Sequence, residues 1–173
     1  MESTPKFTIR LAMLDDAERI AEIHVESWKA AYRGIIPQDY LDSLDQEKRR
    51  RVWEEMIPKT EEFLFVGESE GQINGFAHLK LSRDEDADES TGEVTSIYFD
   101  PTSWRKGLGS RMMNHLIRHA RSIPFQQLTL WVLTNNVSAR RFYETVGFFS
   151  DEEIKLVERP GFIMEEVRYR LEL

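Results

Sequence analysis

Cysteine is absent from this 173-residue chain. That absence excludes disulfides, thiolate zinc sites and a cysteine nucleophile. Long apolar runs are missing too, since none approaches the roughly 18 residues that a membrane helix needs. The first residues, 1–6, lack the basic-then-apolar order of a signal peptide. We therefore expect a cytoplasmic protein with no membrane partner.

Basic residues are the minority charge, with 23 Lys and Arg against 31 Asp and Glu and a net charge of -8. Proteins that bind nucleic acids neutralise phosphates with Lys and Arg, so we expect no nucleic-acid partner. Part of the acidic excess lies in residues 83–89. The simplest interpretation is a solvated loop that joins two strands. The alternative is an acidic lip that attracts a cationic amine.

The remaining pattern indicates one mixed α/β domain over residues 1–173, with a single core. Alternating and continuous apolar runs predict strands, and apolar stripes at helical spacing predict helices. Antiparallel strands come early and a β-α-β crossover lies in the middle. The predicted strands are 7–13, 63–66, 73–81, 93–99, 128–133, 148–156 and 162–171, and the predicted helices are 15–32, a short one from 37, 46–56, one from 108 and 139–146.

Glycine is scarce, with nine in the chain, yet two stand close together in the turn 104–110, Trp-Arg-Lys-Gly-Leu-Gly-Ser. A helix that begins on glycines presents free N–H groups and the positive end of its dipole to an anion such as phosphate. The spacing of a Walker loop is absent, and Met112 stands where a dinucleotide fingerprint needs its third glycine. Two interpretations remain, a turn that serves only packing and an arginine- or glutamine-led phosphate turn spaced x-x-Gly-x-Gly.

A second segment decides between them. After the predicted strand 128–133 comes Asn136-x-x-Ala139-x-x-Phe142-Tyr143-x-x-x-Gly147-Phe148. The two motifs in this order resemble the Gcn5-related N-acetyltransferase (GNAT) superfamily, most specifically over 93–148. The resemblance implies a central, mostly antiparallel sheet with one splayed parallel strand pair and flanking helices. One position departs from the pattern, because Trp104 stands where members carry Gln or Arg.

The resemblance also implies the chemistry. Acetyl-CoA is the expected co-substrate, no metal is expected, and an amine attacks the thioester directly in a ternary complex. A strand bulge near residues 97–99 would admit the CoA arm and leave a backbone N–H for the developing oxyanion. Asn136 would cap a helix and bond the pantetheine amide. The residues expected to bind acetyl-CoA are Ile97, Tyr98, Phe99, Arg105, Lys106, Gly107, Leu108, Gly109, Ser110, Asn136, Ser138 and Tyr143.

Two residues are candidate catalysts by the same resemblance. Glu93 opens the strand before the glycine turn and is the candidate base, directly or through water, because alkyl amines are mostly protonated at neutral pH. The alternative is an exposed acid that closes the acidic loop. Tyr143 is the candidate general acid for the departing thiolate. Its alternative is a core residue, since it lies on an apolar helix stripe.

The acceptor is the least determined part. Trp28, Tyr32, Glu93 and Ile36 are the candidate acceptor-binding residues, although the aromatic ones also fit the core of an amphipathic helix. We expect a small-molecule amine, a polyamine or an amino-acid-like compound. The alternatives are acetylation of a protein N-terminus or lysine and, from another class, a catalytically weak acyl-CoA-binding sensor. A homodimer is left open.

Two further groups carry weaker signals. His115 and His119 stand four apart, but the glutamate of a helical zinc motif is missing, so we interpret them as surface residues near a helix C-terminus. Arg140 and Arg141 could reach the nucleotide phosphates, although solvated surface charge is the simpler interpretation.

Overall fold

The structure is a computed structural model and describes residues 6–173. Within that range the elements follow the predicted order, and α3 has the predicted bounds. Single-turn 3-10 segments precede α1 and follow β4. The bounds are β1 Thr8–Leu11, α1 Ala17–Ala31, α2 Gln38–Asp42, α3 Gln46–Met56, β2 Phe63–Ser69, β3 Gln72–Leu81, β4 Thr91–Phe99, α4 Leu108–Arg121, β5 Gln127–Leu133, α5 Val137–Thr145, β6 Phe149–Arg159 and β7 Phe162–Glu172.

The strands form one mixed sheet in the order β1-β2-β3-β4-β5-β7-β6. Neighbouring strands are antiparallel except β4 and β5, which are parallel and joined through α4. A parallel pair needs such a crossover, because the chain must return to the same end of the sheet. The predicted fold class, a mostly antiparallel sheet with one parallel pair, is confirmed.

The parallel pair parts soon after it forms. β4 and β5 are in register only from Thr91 opposite Gln127 to Glu93 opposite Thr129. On its other side β4 pairs with β3, where His78 lies opposite Ser96 and Leu79 opposite Val94, so that Thr95 is an extra, bulged residue. A bulge bends its strand and locally increases the twist. The expected bulge is present, but at Thr95 and not at residues 97–99.

Two hydrophobic layers hold this sheet. On one face α4 buries Met112, Met113 and Leu116 against β3 and β4. On the other face α1 and α3 pack Ile20 and Trp53 against β2 and β3. Each fully buried aliphatic side chain contributes about 1.5–3 kcal/mol of transfer free energy. The two layers cover both faces of the sheet, and the gap between β4 and β5 stays open beyond Glu93 and Thr129.

Candidate active site

The gap between β4 and β5 opens into two cavities that meet in the middle of the molecule. The larger, about 490 Å³, extends from β4 and α5 to the glycine turn. The smaller, about 180 Å³, lies between α1, the start of β4 and the β6–β7 hairpin. Five residues line both cavities and therefore mark the junction: Tyr32, Ile97, Tyr98, Asn136 and Tyr143.

The glycine turn forms the far end of the larger cavity. Arg105 and Gly107 both have left-handed backbone angles, with φ of 60° and 75°, and Gly107 stands at the N-cap of α4. No side chain of the described residues caps this end, so the first N–H groups of α4 stay free for a ligand. The helix start lies beside α5, since a Cβ on Gly109 would make an ordinary van der Waals contact of 3.4 Å with the Phe142 ring. This geometry fits a pyrophosphate.

Trp104, the residue that departs from the family pattern, ties the turn to the sheet. Its indole Nε1 donates a hydrogen bond of 2.8 Å to the carbonyl oxygen of Phe99, the last residue of β4. The ring remains 39% exposed and lines the larger cavity. Trp104 therefore fastens the start of the turn to the strand before it, and its ring becomes part of the cavity wall.

The structure brings together all but one of the residues expected to bind acetyl-CoA. Lys106 is the exception, since it is exposed and outside the lining of both cavities. The larger cavity is lined by Ile97, Tyr98, Phe99, Arg105, Gly107, Leu108, Gly109, Ser110, Asn136, Ser138 and Tyr143. Arg140 instead donates to the carbonyl of Thr134 and to the hydroxyl of Tyr169, so its role here is structural.

Asn136 and Tyr143 lie on one face of α5, since seven residues are two helical turns. The Asn136 side chain accepts a hydrogen bond from the backbone N–H of Ala139, which confirms the predicted N-cap. The Tyr143 ring packs near Phe142 and Phe148. Burial raises the pKa of Tyr143 above its usual range, so the phenol keeps its proton.

Glu93 lies where the two strands part, and it lines the smaller cavity. Burial raises the pKa of its carboxyl, and the negative charge of Asp84 raises it further. Lys80 and Lys155 oppose this shift. Glu93 is half-buried, which is incompatible with the interpretation as an exposed acid at the end of the loop.

Two of the three acceptor-side candidates from α1 and the segment after it lie in the smaller cavity. Trp28 and Tyr32 both line the smaller cavity, and their rings pack edge to face at 4.9 Å. Ile36 lines neither cavity and is instead buried behind the wall of the smaller one, in a cluster with Leu41 and Met164. Its expected place in the pocket is therefore wrong.

Sequence reasoning missed the opposite wall of the smaller cavity, which comes from β5, β6 and β7. Lys155 carries its ammonium 4.3 Å over the Trp131 ring and 3.2 Å from a Glu166 carboxylate oxygen. Arg159 lines the cavity beside them. The alternation along β6 marks Lys155 and Arg159 as sharing one face, but only the strand order shows that this face meets Glu93.

The acidic loop is bound to the sheet instead of being free in solvent. Arg168, 4% exposed, donates to Asp84 at 3.2 Å and to Asp86 at 2.7 Å, and it also pairs with Asp151 of β6. The Trp131 indole donates to Asp84 at 3.0 Å. The expectation of a wholly solvated loop is therefore wrong at Asp84, whose half-buried carboxylate helps to form the surroundings of Glu93.

His115 and His119 are half-buried and do not stand free on the surface of α4. Their rings pack edge to face against Phe65 at 4.7 Å and Phe63 at 4.4 Å, and burial lowers the pKa of both. Among residues 6–173 no group of three or more His, Cys, Asp or Glu side chains could hold a metal ion. The described helices also include none that is long and apolar enough to cross a membrane.

A splayed parallel pair, a bulged central strand and a free helix N-terminus beside the gap define the class of acyl-CoA N-acyltransferases. The chain belongs to the acetyltransferase (GNAT) family, whose model matches residues 10–148. It is therefore an acetyl-CoA-dependent N-acetyltransferase.

Named relatives agree with this class. An uncharacterized N-acetyltransferase, YuaI of Bacillus subtilis, is 33% identical over 136 residues, which are 76% of this chain and 74% of that protein. A spermidine N(1)-acetyltransferase of Thermoplasma acidophilum is 24% identical over 91% of this chain and 95% of its own length. The crystal structure of PaiA N-acetyltransferase from Thermoplasma acidophilum with coenzyme A has the same fold, with a TM-score of 0.80, 19% identity and coverage of 97% and 99%.

Proposed function

We propose that this protein acetylates a small primary amine by direct attack of the amine on acetyl-CoA in a ternary complex. One observation carries the proposal: two cavities with different linings meet at Tyr143 and at residues 97–98 of β4. One cavity ends at a glycine turn that fits a pyrophosphate, and the other contains the half-buried carboxylate of Glu93. A donor and an acceptor can therefore be held at the same time and touch at the junction.

The larger cavity is assigned to acetyl-CoA. The free N–H groups at the start of α4 would hold the pyrophosphate, with Arg105 adding positive charge beside it. The pantetheine arm would then lie along the free edge of β4 and reach Asn136. Among the described residues, β4 beyond Glu93 pairs only with β3, so its other edge can bond the arm as a strand would.

Glu93 is assigned as the base. Its carboxylate lies in the acceptor cavity, and burial raises the pKa of that carboxyl above its ordinary value. A raised pKa makes the carboxylate a stronger base, so it takes a proton from an ammonium group more readily. A bridging water would serve as well as direct contact.

Tyr143 is assigned as the acid. It lines both cavities, so its hydroxyl can face the sulfur of the departing thiolate. The raised pKa keeps the phenol protonated, as a proton donor must be. A backbone N–H on the free edge of β4 would stabilise the negative charge that develops on the thioester oxygen.

The size and charge of the smaller cavity favour a small acceptor. It measures about 180 Å³. Its lining includes two acidic side chains, Glu93 and Glu166, and two basic ones, Lys155 and Arg159. Because Lys155 pairs with Glu166, Glu93 is left for an amine and Arg159 for an anionic or polar group. Polyamines and amino-acid-like amines both match part of this arrangement, and relatives are named for spermidine and spermine.

The test is release of free thiol from acetyl-CoA over a panel of spermidine, spermine, free amino acids and a peptide with an alanine N-terminus. We expect turnover with at least one small amine. Turnover with the peptide alone would show that the acceptor is a protein N-terminus and not a small amine. Tight CoA binding without release on any member would favour an acyl-CoA sensor instead.

A further inference from the structure

A chain of three polar side chains runs from the protein surface to the acceptor cavity through the buried His78. His78 is 1% exposed and lies on β3, next to the bulge of β4. Its Nδ1 is 2.6 Å from the hydroxyl oxygen of Thr95, and its Nε2 is 2.8 Å from Oε2 of Glu62. Thr95 lines the smaller cavity together with Glu93.

The bulge of β4 determines the direction of the Thr95 side chain. As the extra residue of β4 it has no partner on β3, and a bulge redirects the side chain that it carries. The Thr95 hydroxyl can therefore contact His78 on one side while the residue lines the acceptor cavity on the other. Glu93 stands two positions earlier on the same strand and lines the same cavity.

The proton positions follow from the two distances. Nε2 of His78 and Oε2 of Glu62 are 2.8 Å apart, but the angle at this contact is not that of a hydrogen bond. A lone pair on Nε2 would repel the carboxylate oxygen at this distance, so the charge of Glu62 selects the tautomer that carries its proton on Nε2. In a neutral ring Nδ1 is then an acceptor, and the Thr95 hydroxyl must donate its hydrogen to it.

His78 is held neutral by its surroundings. Burial lowers the pKa of His78 to about 4, although the negative charge of Glu62 opposes that change. Lys80 of β3 and Lys59 before β2 lower it further, and the Trp53 ring of α3 covers the imidazole at 5.9 Å. At neutral pH the ring thus remains an acceptor for Thr95.

We propose that the Thr95 hydroxyl oxygen binds the acceptor amine beside Glu93, and that His78 and Glu62 are positioning residues that fix this hydroxyl as a hydrogen-bond acceptor. With its hydrogen committed to His78, the hydroxyl presents only lone pairs to the cavity. An ammonium or amine N–H can donate to those lone pairs, whereas a carbonyl oxygen finds no donor there. The inference rests on the proposed amine acetylation and names three further residues that select an amine: Thr95 by contact, and His78 and Glu62 by fixing its hydroxyl.

The first experiment compares Thr95→Val with Thr95→Ser, on the panel amine that the wild type acetylates fastest. Loss of a hydrogen bond to a charged amine should raise the KM for the amine about tenfold in Thr95→Val. Thr95→Ser should keep the wild-type value, and the KM for acetyl-CoA should not change in either variant. Thr129→Val is the matched control, because it removes a buried threonine hydroxyl of β5 outside the cavity lining.

The second experiment tests the positioning role. His78→Phe should raise the amine KM as Thr95→Val does, and the double variant should show no further increase, because both remove the same interaction. Additive effects, or an unchanged amine KM in Thr95→Val, would overturn the inference.

A third measurement needs no turnover. The nitrogen-15 shifts of His78 at neutral pH should show a bare Nδ1 and a protonated Nε2, and titration of the CoA complex with spermidine should give weaker binding in Thr95→Val than in wild type. A protonated Nδ1, or equal binding, would overturn the inference. Spermidine turnover without these signatures would leave the proposed function standing, whereas failure of every amine to react or bind would overturn both.

Discussion

At the scale of the residue, Glu93 is the proposed general base, and burial and the negative charge of Asp84 raise the pKa of its carboxyl. Glu93→Gln should lower kcat by about 10²-fold or more, since general-base catalysis contributes about 10²–10⁴. In wild type the active carboxylate forms only above its raised pKa, so kcat/KM should rise as the pH rises through that value. The variant should lose this dependence in an initial-rate series from pH 5 to 9.

The same substitution predicts a separate effect on stability. Because the folded-state pKa of Glu93 is raised, the folded protein binds this proton more tightly, and stability is lost as the pH rises from the unfolded to the folded pKa. A neutral glutamine avoids that loss. Glu93→Gln should therefore unfold at a higher temperature than wild type at pH 7. A lower melting temperature together with full activity would contradict both roles.

Tyr143 allows the cleanest substitution in the proposed site. Tyr143→Phe removes only the hydroxyl and keeps the ring packing against Phe142 and Phe148. We expect kcat to fall about 10²-fold, at the low end for general acids because a thiol is a good leaving group. Tyr40→Phe is the control, since that ring packs on Phe162 away from both cavities. Equal turnover in the two variants would make Tyr143 a packing residue only.

At the scale of the element, two indoles fasten loops at opposite ends of the gap. Trp104 bonds the glycine turn to β4, and Trp131 bonds the acidic loop to β5. Trp104→Phe should raise the KM for acetyl-CoA by about two- to tenfold, because one hydrogen bond is lost, and should leave the amine KM unchanged. Trp131→Phe should raise the amine KM and leave the KM for acetyl-CoA unchanged. If both variants changed the same KM, the two cavities would not be separate sites.

The element scale also shows how far the sequence could lead. Periodicity predicts most strands and helices, because apolar stripes depend on neighbours three, four or two residues away, whereas Pro37 predicts the start of α2. The resemblance predicts a bulge near residues 97–99, but the bulge lies at Thr95, since its position depends on the register with β3. The Asp84–Arg168 pair joins residues 84 positions apart, and no local pattern contains such a partner. For the same reason Lys155 and Arg159 could not be assigned to the acceptor cavity.

At the scale of the whole molecule, Arg168 joins the acidic loop, β6 and β7 through one guanidinium. Arg168→Leu should destabilise the fold by about 3 kcal/mol, because it leaves the part-buried Asp84 without a cation and leaves Asp86 and Asp151 with Arg170 alone. That is the low end of the range, since Asp86 remains half exposed. Arg50→Leu on the surface of α3 is the control and should leave the midpoint of urea unfolding close to that of wild type.

The effect of Arg168 should fade in acid. The guanidinium of Arg168 holds the pKa of Asp86 down at about 2, and the arginines Arg170 and Arg168 lower the pKa of Asp151 although burial raises it. A carboxyl with a depressed pKa stabilises the fold above its unfolded value and loses that contribution as the pH falls toward its folded one. The stability difference between wild type and Arg168→Leu should therefore shrink between pH 4 and pH 2. A difference that stays constant over this range would contradict the ion-pair account.

The central claim is that donor and acceptor occupy the two cavities together and react where these meet. An initial-rate matrix that varies acetyl-CoA and the amine tests it most directly. Direct transfer in a ternary complex predicts double-reciprocal lines that intersect. Parallel lines, the pattern of a covalent acetyl-enzyme, would contradict it.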